Sequence, residues 1–270
     1  MKVVTLGPSG TYSHRAATAV SEDADVGFRE SVHAIVSAVA DGDADRGVVP
    51  IENSIEGSVT ESLDALAERE VSVVQEVVTP IRHALLAQTE TVETVASHSQ
   101  ALAQCRSYLD ENYPDADRQA VASTARGVEL ARETAGVAGI GHPDNAGDDL
   151  TVLAEDIQDR NSNATRFFVV AGADERSDAG GKSTFVVYPN ANYPGLLLEL
   201  LEAFADRDIN LSRIESRPSG NRLGDYLFHI DFDAGFYEDR AQEALEDVEE
   251  IAENGWVKRL GSYDKRHVLY

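Results

Sequence analysis

The stretch 183-STFVVYPNANYPGLLLELLEAFADRDINLSRIES-216 changes its hydrophobic period twice in a single pass. Ser183 to Tyr188 is a short β-branched and aromatic run, which reads as a strand. Past Pro194-Gly195, residues Leu197, Leu200, Leu201 and Phe204 recur at i, i+3, i+4 and i+7, as on a helix that lies on a sheet. Asn210 to Ser216 returns to strand. Further on, Asp225 to Phe232 reads as strand, Glu238 to Glu253 as helix and Trp256 to Ser262 as strand. The resulting order βαββαβ is the ferredoxin-like pattern. Just upstream, 172-GADERSDAGG-181 is polar and glycine-ended, the composition of a linker.

Upstream of that linker the chain alternates strand and helix signals. Lys2 to Leu6 is a strand, Gly7-Pro8-Ser9-Gly10 punctuates, and Ser13 is placed to cap a helix reaching Val20. Gly47 to Ile51 is a strand, with Glu52-Asn53-Ser54 after it and a helix near Val59 to Arg69. Strands at Val71 to Val78 and Val92 to Ser97 follow. A helix then carries Leu102, Cys105 and Leu109, a second runs from Ala125 to Glu133, and Ala135 to Ile140 is a strand of small residues. This rhythm implies α/β architecture with largely parallel sheets.

Composition limits what such a chain can do. It has 270 residues, 42% of them hydrophobic, enough for two domains and a core. No stretch of roughly eighteen apolar residues occurs, and Met1 to Gly7 lacks the apolar region of an export signal, so a cytoplasmic location and no membrane partner are expected. The lone Cys105 excludes an internal disulfide and a cysteine metal cluster. The net charge is −25. Lysine occurs only at positions 2, 182, 258 and 265. A field of that sign repels phosphate backbones, so no nucleic-acid partner is expected. Acid excess with arginine favoured over lysine suggests a salt-adapted protein, in which concentrated salt screens self-repulsion. Gly7-Pro8-Ser9-Gly10 lacks the spacing of a dinucleotide fingerprint, and there is neither a Walker A motif nor HExxH. Asp43, Asp45 and Asp148-Asp149 read as solvated faces, and no metal is expected.

In the first module polar residues gather after strands and at helix starts: Thr11 and Ser13; Glu52, Asn53 and Ser54; Ser97, His98 and Gln100; Ser123 and Thr124. Open α/β sheets bind ligands there, and hydroxyls and amides with few lysines suit a small carboxylate. Singly, Ser13, Ser54 and Thr124 read equally as helix caps. The stretch 157-IQDRNSNATRFFVV-170 sets a crowd of polar residues in front of an apolar strand, with Asn161 and Ser162 as its turn.

At these residues the chain resembles prephenate dehydratases that carry a C-terminal ACT regulatory domain. The matching strings are 7-GPSGTYS-13, 49-VPIENS-54 with Gly57, 97-SHSQALAQC-105 and 163-NATRF-167, then 194-PGLL-197 and 214-IESRP-218 in the small module. The resemblance spans nearly the whole chain. It implies a fold of two periplasmic-binding-protein-like α/β lobes around a cleft, plus the ferredoxin-like ACT domain. The implied division is residues 1–172 catalytic, with one lobe of 1–76 and 154–172 and another of 77–153, a linker at 173–182, and ACT at 183–265.

The implied activity is the cofactor-free conversion of prephenate to phenylpyruvate, water and carbon dioxide on the route to phenylalanine. Arogenate as substrate, or a non-catalytic sensor of amino acids or small carboxylates, are the competing readings. The resemblance makes Thr165 the catalytic residue, hydrogen-bonding the departing oxygen. It makes Thr11, Ser13, Asn53, Ser54, Ser97, Gln104 and Arg166 substrate-binding, Arg166 either through a carboxylate or as a brace to Asp159 or Glu52. Glu52 and His98 are the candidate acids. Phenylalanine is the implied effector, at Gly195, Leu196, Leu197, Glu215, Ser216, Arg217 and Pro218. Leu196 departs from the alanine common in the family, and the 215–218 run can also serve to end a strand and brace a dimer. Self-association through ACT sheets, to a dimer or tetramer, completes the expected partners.

Overall fold

The computed structural model describes residues 1–21, 23–160 and 162–267. The chain begins β1 (Lys2–Leu6), α1 (Tyr12–Thr18), β2 (Asp25–Arg29), α2 (Val32–Ala40), β3 (Arg46–Asn53), β4 (Gly57–Ser58), α3 (Thr60–Glu68) and β5 (Val71–Pro80). It crosses to β6 (Ala84–Ala87), β7 (Thr94–Ser97), α4 (Ser99–Gln104), α5 (Arg106–Asn112), β8 (Asp117–Ala120), α6 (Thr124–Glu133), β9 (Val137–Gly141) and β10 (Thr151–Ala154). It then returns as β11 (Ala164–Gly172). The last module is β12 (Lys182–Tyr188), α7 (Leu196–Ala205), β13 (Leu211–Pro218), β14 (Tyr226–Phe232), α8 (Asp239–Ile251) and β15 (Trp256–Tyr263), followed by β16 (Lys265–His267).

Three sheets result. The first runs β16-β5-β11-β3-β1-β2, with β4 paired to β3; the second runs β10-β6-β9-β7-β8. They are the cores of two lobes joined by two crossings, one after β5 and one before β11. Largely parallel sheets were expected, but both are mixed. β1 pairs in parallel with β2 and β3, and β7 with β8 and β9, whereas β11 is antiparallel to β3 and β5, and β6 to β9 and β10. The cause is the double crossing: β11 enters the first sheet from the other lobe and so runs against its neighbours. Its run Phe167-Phe168-Val169-Val170 is at most 1% exposed, as a central strand covered on both faces requires. β5 stays in the first sheet through Pro80, beyond the expected boundary at 76, and β10 belongs to the second sheet.

The third sheet has the order β13-β14-β12-β15. Helices α7 and α8 cover one face, where Phe185, Leu200, Phe204, Ile230, Phe232 and Leu245 form the core. The opposite face lies on the first lobe, so that Val186, Leu260 and Tyr263 share a core with Val71, Val73, Phe168 and Val170. The contact is close enough to need glycine: a Cβ on Gly261, at φ +143°, would collide with the Val73 carbonyl. The expected linker is therefore no loose tether. Its first residues form a 3-10 turn, Ala173–Glu175, and Glu175 is held by Arg46 through two hydrogen bonds of 2.6 and 2.7 Å. Strand β16 of the C-terminal segment pairs in parallel with β5, which fastens the module at a second point.

Candidate active site

The geometry of the cleft is set by strand alternation. Sequence reading ended the third strand at Ile51 and began the eleventh at Phe167. Both strands run further, and Thr165 pairs with Asn53 while Arg166 pairs with Glu52. Successive side chains of a strand point to opposite faces. Asn53 and Thr165 therefore face the gap between the lobes, and Glu52 and Arg166 face the third sheet.

A cavity of about 240 Å³ fills that gap. Thr11, Tyr12, Ser13, Pro50 and Asn53 line it from the first lobe, with Thr165 and Phe167 from β11. His83, His98, Gln100, Gln104, Ser123 and Thr124 line it from the crossing and the second lobe, and Asn163 from just before β11. Among the described residues no lysine or arginine lines it. Thr11 proves to be the cap of α1, its hydroxyl accepting from the His14 amide at 3.2 Å and donating to the Pro8 carbonyl at 2.9 Å. The expected cap, Ser13, is instead inside the helix and on the cavity wall. His98 caps α4, with Nδ1 accepting from the Gln100 amide at 3.4 Å.

A chain of amides orients Thr165. Asn53 Nδ2 donates to Thr165 Oγ1 at 3.0 Å and to Asn163 Oδ1 at 3.1 Å, which uses both its hydrogens. Asn53 Oδ1 accepts from the amides of Ile55 and Glu56 at 2.9 and 3.3 Å, so the side chain cannot flip without losing them. Asn163 Nδ2 in turn donates to Gln104 Oε1 at 3.0 Å, and the same oxygen takes a hydrogen bond from His83 Nε2 at 2.9 Å. An amide oxygen only accepts, so the His83 proton sits on Nε2 and Nδ1 is bare; Nδ1 is buried without a hydrogen-bond partner. Burial lowers the His83 pKa, offset in part by the bond to Gln104, and keeps the ring neutral. Thr165 Oγ1 is thus an acceptor toward Asn53. Its own proton has no acceptor among the described residues and is available to a molecule in the cavity.

Other expected site residues lie elsewhere. Ser97 is fully buried, its hydroxyl donating to the Ile140 carbonyl at 2.8 Å inside the second sheet. Ser54 accepts from the Ala164 amide at 3.0 Å and donates to the Ser162 carbonyl at 3.1 Å, tying the loop to the strand mouth outside the cavity. Asn161, expected in that turn, falls outside the described residues. Arg166 turns away from the cleft: Nε donates to Glu76 at 2.7 Å and an Nη to Asp231 of β14 at 2.6 Å. Its distance to Glu52 is 3.6 Å, so the bracing alternative is nearer the observed arrangement than a substrate contact, though its main partners are Glu76 and Asp231. Glu52, expected as a possible acid, faces the same way and cannot reach a ligand beside Thr165.

In the third sheet, Gly195 adopts φ +102° as the cap of α7, Leu196 is buried and Leu197 is 42% exposed. β13 is an edge strand, and its 215–218 run braces this chain's own first lobe. Glu215 accepts from the Ser58 hydroxyl at 2.8 Å, and Arg217 grips Asp64 with bonds of 3.0 and 3.1 Å, while Ser216 and Pro218 are exposed. His83 and Asn163 were not singled out from sequence. Asn163 stood within a matching string, but only the fold shows that the two crossings, which carry both residues, form the cavity wall.

With this geometry in hand, comparison with known proteins is specific. Residues 3–175 match the family model for prephenate dehydratase and residues 190–250 that for the ACT domain. The bifunctional chorismate mutase/prephenate dehydratase of Aquifex aeolicus is 38% identical across 98% of this chain and 74% of its own length. The prephenate dehydratase of Methanocaldococcus jannaschii is 35% identical across 97% of both chains. The crystal structure of prephenate dehydratase from Arthrobacter aurescens in complex with L-Phe is 36% identical, with a TM-score of 0.89 over 98% of this chain and 90% of that one.

Proposed function

This chain belongs to the prephenate dehydratase family, and from that premise we propose that its interlobe cavity converts prephenate to phenylpyruvate with Thr165 as the catalytic residue. In that reaction the ring C–O bond and the bond to the ring carboxylate both break. The carboxylate leaves as carbon dioxide, its bonding pair enters the ring, and hydroxide departs and is protonated to water. Aromatisation drives the step, so the protein must orient the dianion and stabilise the charge growing on the departing oxygen. The Thr165 proton, left unused by the Asn53 contact, supplies a positioned donor at that oxygen. A threonine is too weak an acid to give up the proton unaided, and its part is hydrogen bonding to developing charge.

Among the described residues of the lining the carboxylates meet no lysine or arginine. They are offered the Ser13 hydroxyl, the His98 ring, and the first turn of α6 at Ser123 and Thr124, where the helix dipole favours an anion. The observation that carries the proposal is the Asn53–Thr165 pair facing this cavity. Incubation with prephenate and, separately, with arogenate tests it. Phenylpyruvate from the first is expected. Phenylalanine from arogenate alone would transfer the reading to an arogenate dehydratase, and no product from either would leave a sensor.

We also propose phenylalanine as effector of the ACT module near Gly195 and the 215–218 run, in line with the L-Phe complex of the Arthrobacter aurescens relative. Self-association through the β13 edge is proposed with it, since an unpaired edge strand with exposed Ile214 is an incomplete surface. A cytoplasmic setting agrees with a single, buried cysteine, and salt adaptation with the net charge of −25.

A further inference from the structure

The face of β3 and β11 that turns away from the cavity carries a second constellation. Arg166 follows Thr165 directly and reaches from the first lobe into the third sheet. Its guanidinium meets Glu76 at 2.7 Å, Asp231 at 2.6 Å and the Tyr263 hydroxyl at 3.3 Å, and lies 4.8 Å from the centroid of the Phe168 ring. Asp231 is fully buried and also accepts from the Thr184 hydroxyl at 2.7 Å. Two of these partners, Asp231 and Tyr263, belong to the ACT module. A planar guanidinium held at three corners has little freedom, so the ACT sheet adds its own restraint on where this stretch of β11 lies.

That matters because the ladder is interrupted on its β3 side at this point, while on the other side β11 pairs with β5 without a break from Ala164 to Val169. Between Arg166 and Phe167 the register of β11 against β3 shifts, so regular cross-strand pairing breaks directly beside the catalytic pair. The Thr165–Asn53 contact lies on the far side of that irregularity from the buried run that anchors β11. Beside the β5 ladder, Arg166 is the side-chain anchor that ties the strand mouth to the third sheet.

We propose that Asp231, in the regulatory sheet, is a positioning residue for the dehydration, fixing the Thr165 hydroxyl by holding Arg166. The inference rests on the reading of Thr165 given above. A misplacement of order 1 Å costs up to about a hundredfold in a positioned step, so loosening this anchor appears in turnover and not in substrate affinity. It also gives the ACT module a route to the reaction: whatever displaces β14 at Asp231 displaces the strand that carries Thr165.

The test is a cycle of variants in the full-length protein with prephenate as substrate. Asp231→Asn keeps shape and a hydrogen bond but removes the charge, and is expected to lower kcat at least about tenfold with KM little changed. In a Thr165→Ala background the same substitution is expected to have no further effect on kcat, because it acts through the hydroxyl already removed. A purely structural role would lower kcat by the same factor in both backgrounds and would overturn the inference. Should Asp231→Asn fail to fold, with the buried Arg166 left to Glu76 as its main partner, the double variant Arg166→Met/Asp231→Leu removes both charges together. If folded, it should show the same loss of kcat; wild-type turnover in it would overturn the inference. Full turnover in Thr165→Ala alone would instead remove the site reading on which the inference stands.

Discussion

Asn53 determines what Thr165 can do. As an amide it gives one hydrogen to Thr165 and receives two backbone amides on its oxygen, so Thr165 accepts there and donates elsewhere. Asn53→Asp replaces that donor with an acceptor, and the Thr165 proton turns toward the new carboxylate and away from the ligand. Loss of a positioned donor of this kind lowers kcat by about a hundredfold or more. Steady-state kinetics with prephenate check it, and a change within threefold would contradict the assignment. At this scale the sequence was informative in part. Thr165, Asn53, Gln104, Thr11, Ser13 and His98 do line one cavity. Ser97, Ser54, Glu52 and Arg166 do not, because matching strings mark a strand mouth without saying which face each residue takes. A period of two, carried through Asn53 and back to Ala164, sets Glu52 and Arg166 apart from their neighbours.

β14 carries the clearest pH dependence of any element. His229 is 1% exposed at its centre, among Arg213, Asp231, Asp64 and Arg217, and burial, reinforced by Arg213, pushes its pKa down to about 3. His142 is depressed in the same way, to about 4. Above the unfolded value of about 6.5 each ring is neutral in both states and its contribution is intact. Below it the unfolded chain takes up a proton that the folded chain refuses until its own lower pKa. Stability then falls by up to about 1.4 kcal/mol per pH unit for each ring. Denaturant midpoints at pH 7 and pH 5 should therefore differ less in His229→Gln than in the parent, and an unchanged difference would contradict this. Legibility among elements followed pattern strength. The third module was readable because α7 and its flanking strands change period cleanly. β6, four fully buried residues of sequence ALLA, shows no alternation, and β8, DRQA, is an exposed edge with no apolar face. α2, apolar over most of its surface, lacks the polar stripe that marks a surface helix.

For the whole molecule, the third sheet shares a core with the first lobe, so catalytic and regulatory modules form one packed body joined also by the Arg166 and Arg217 ion pairs. Around that body sits a net charge of −25, which is unscreened in dilute buffer. Raising KCl from about 0.1 M to about 1 M shortens the screening length from about 10 Å to about 3 Å. The melting temperature should rise over that range, and a flat response would contradict salt adaptation. We propose that this body holds the Thr165 hydroxyl against the departing oxygen. The most direct test is phenylpyruvate formation from saturating prephenate by the parent, Thr165→Ala and Thr165→Ser. A loss of about a hundredfold or more in kcat is expected for alanine, with little change in KM, and much of the activity is kept by serine. Equal and mild effects from both substitutions would contradict it.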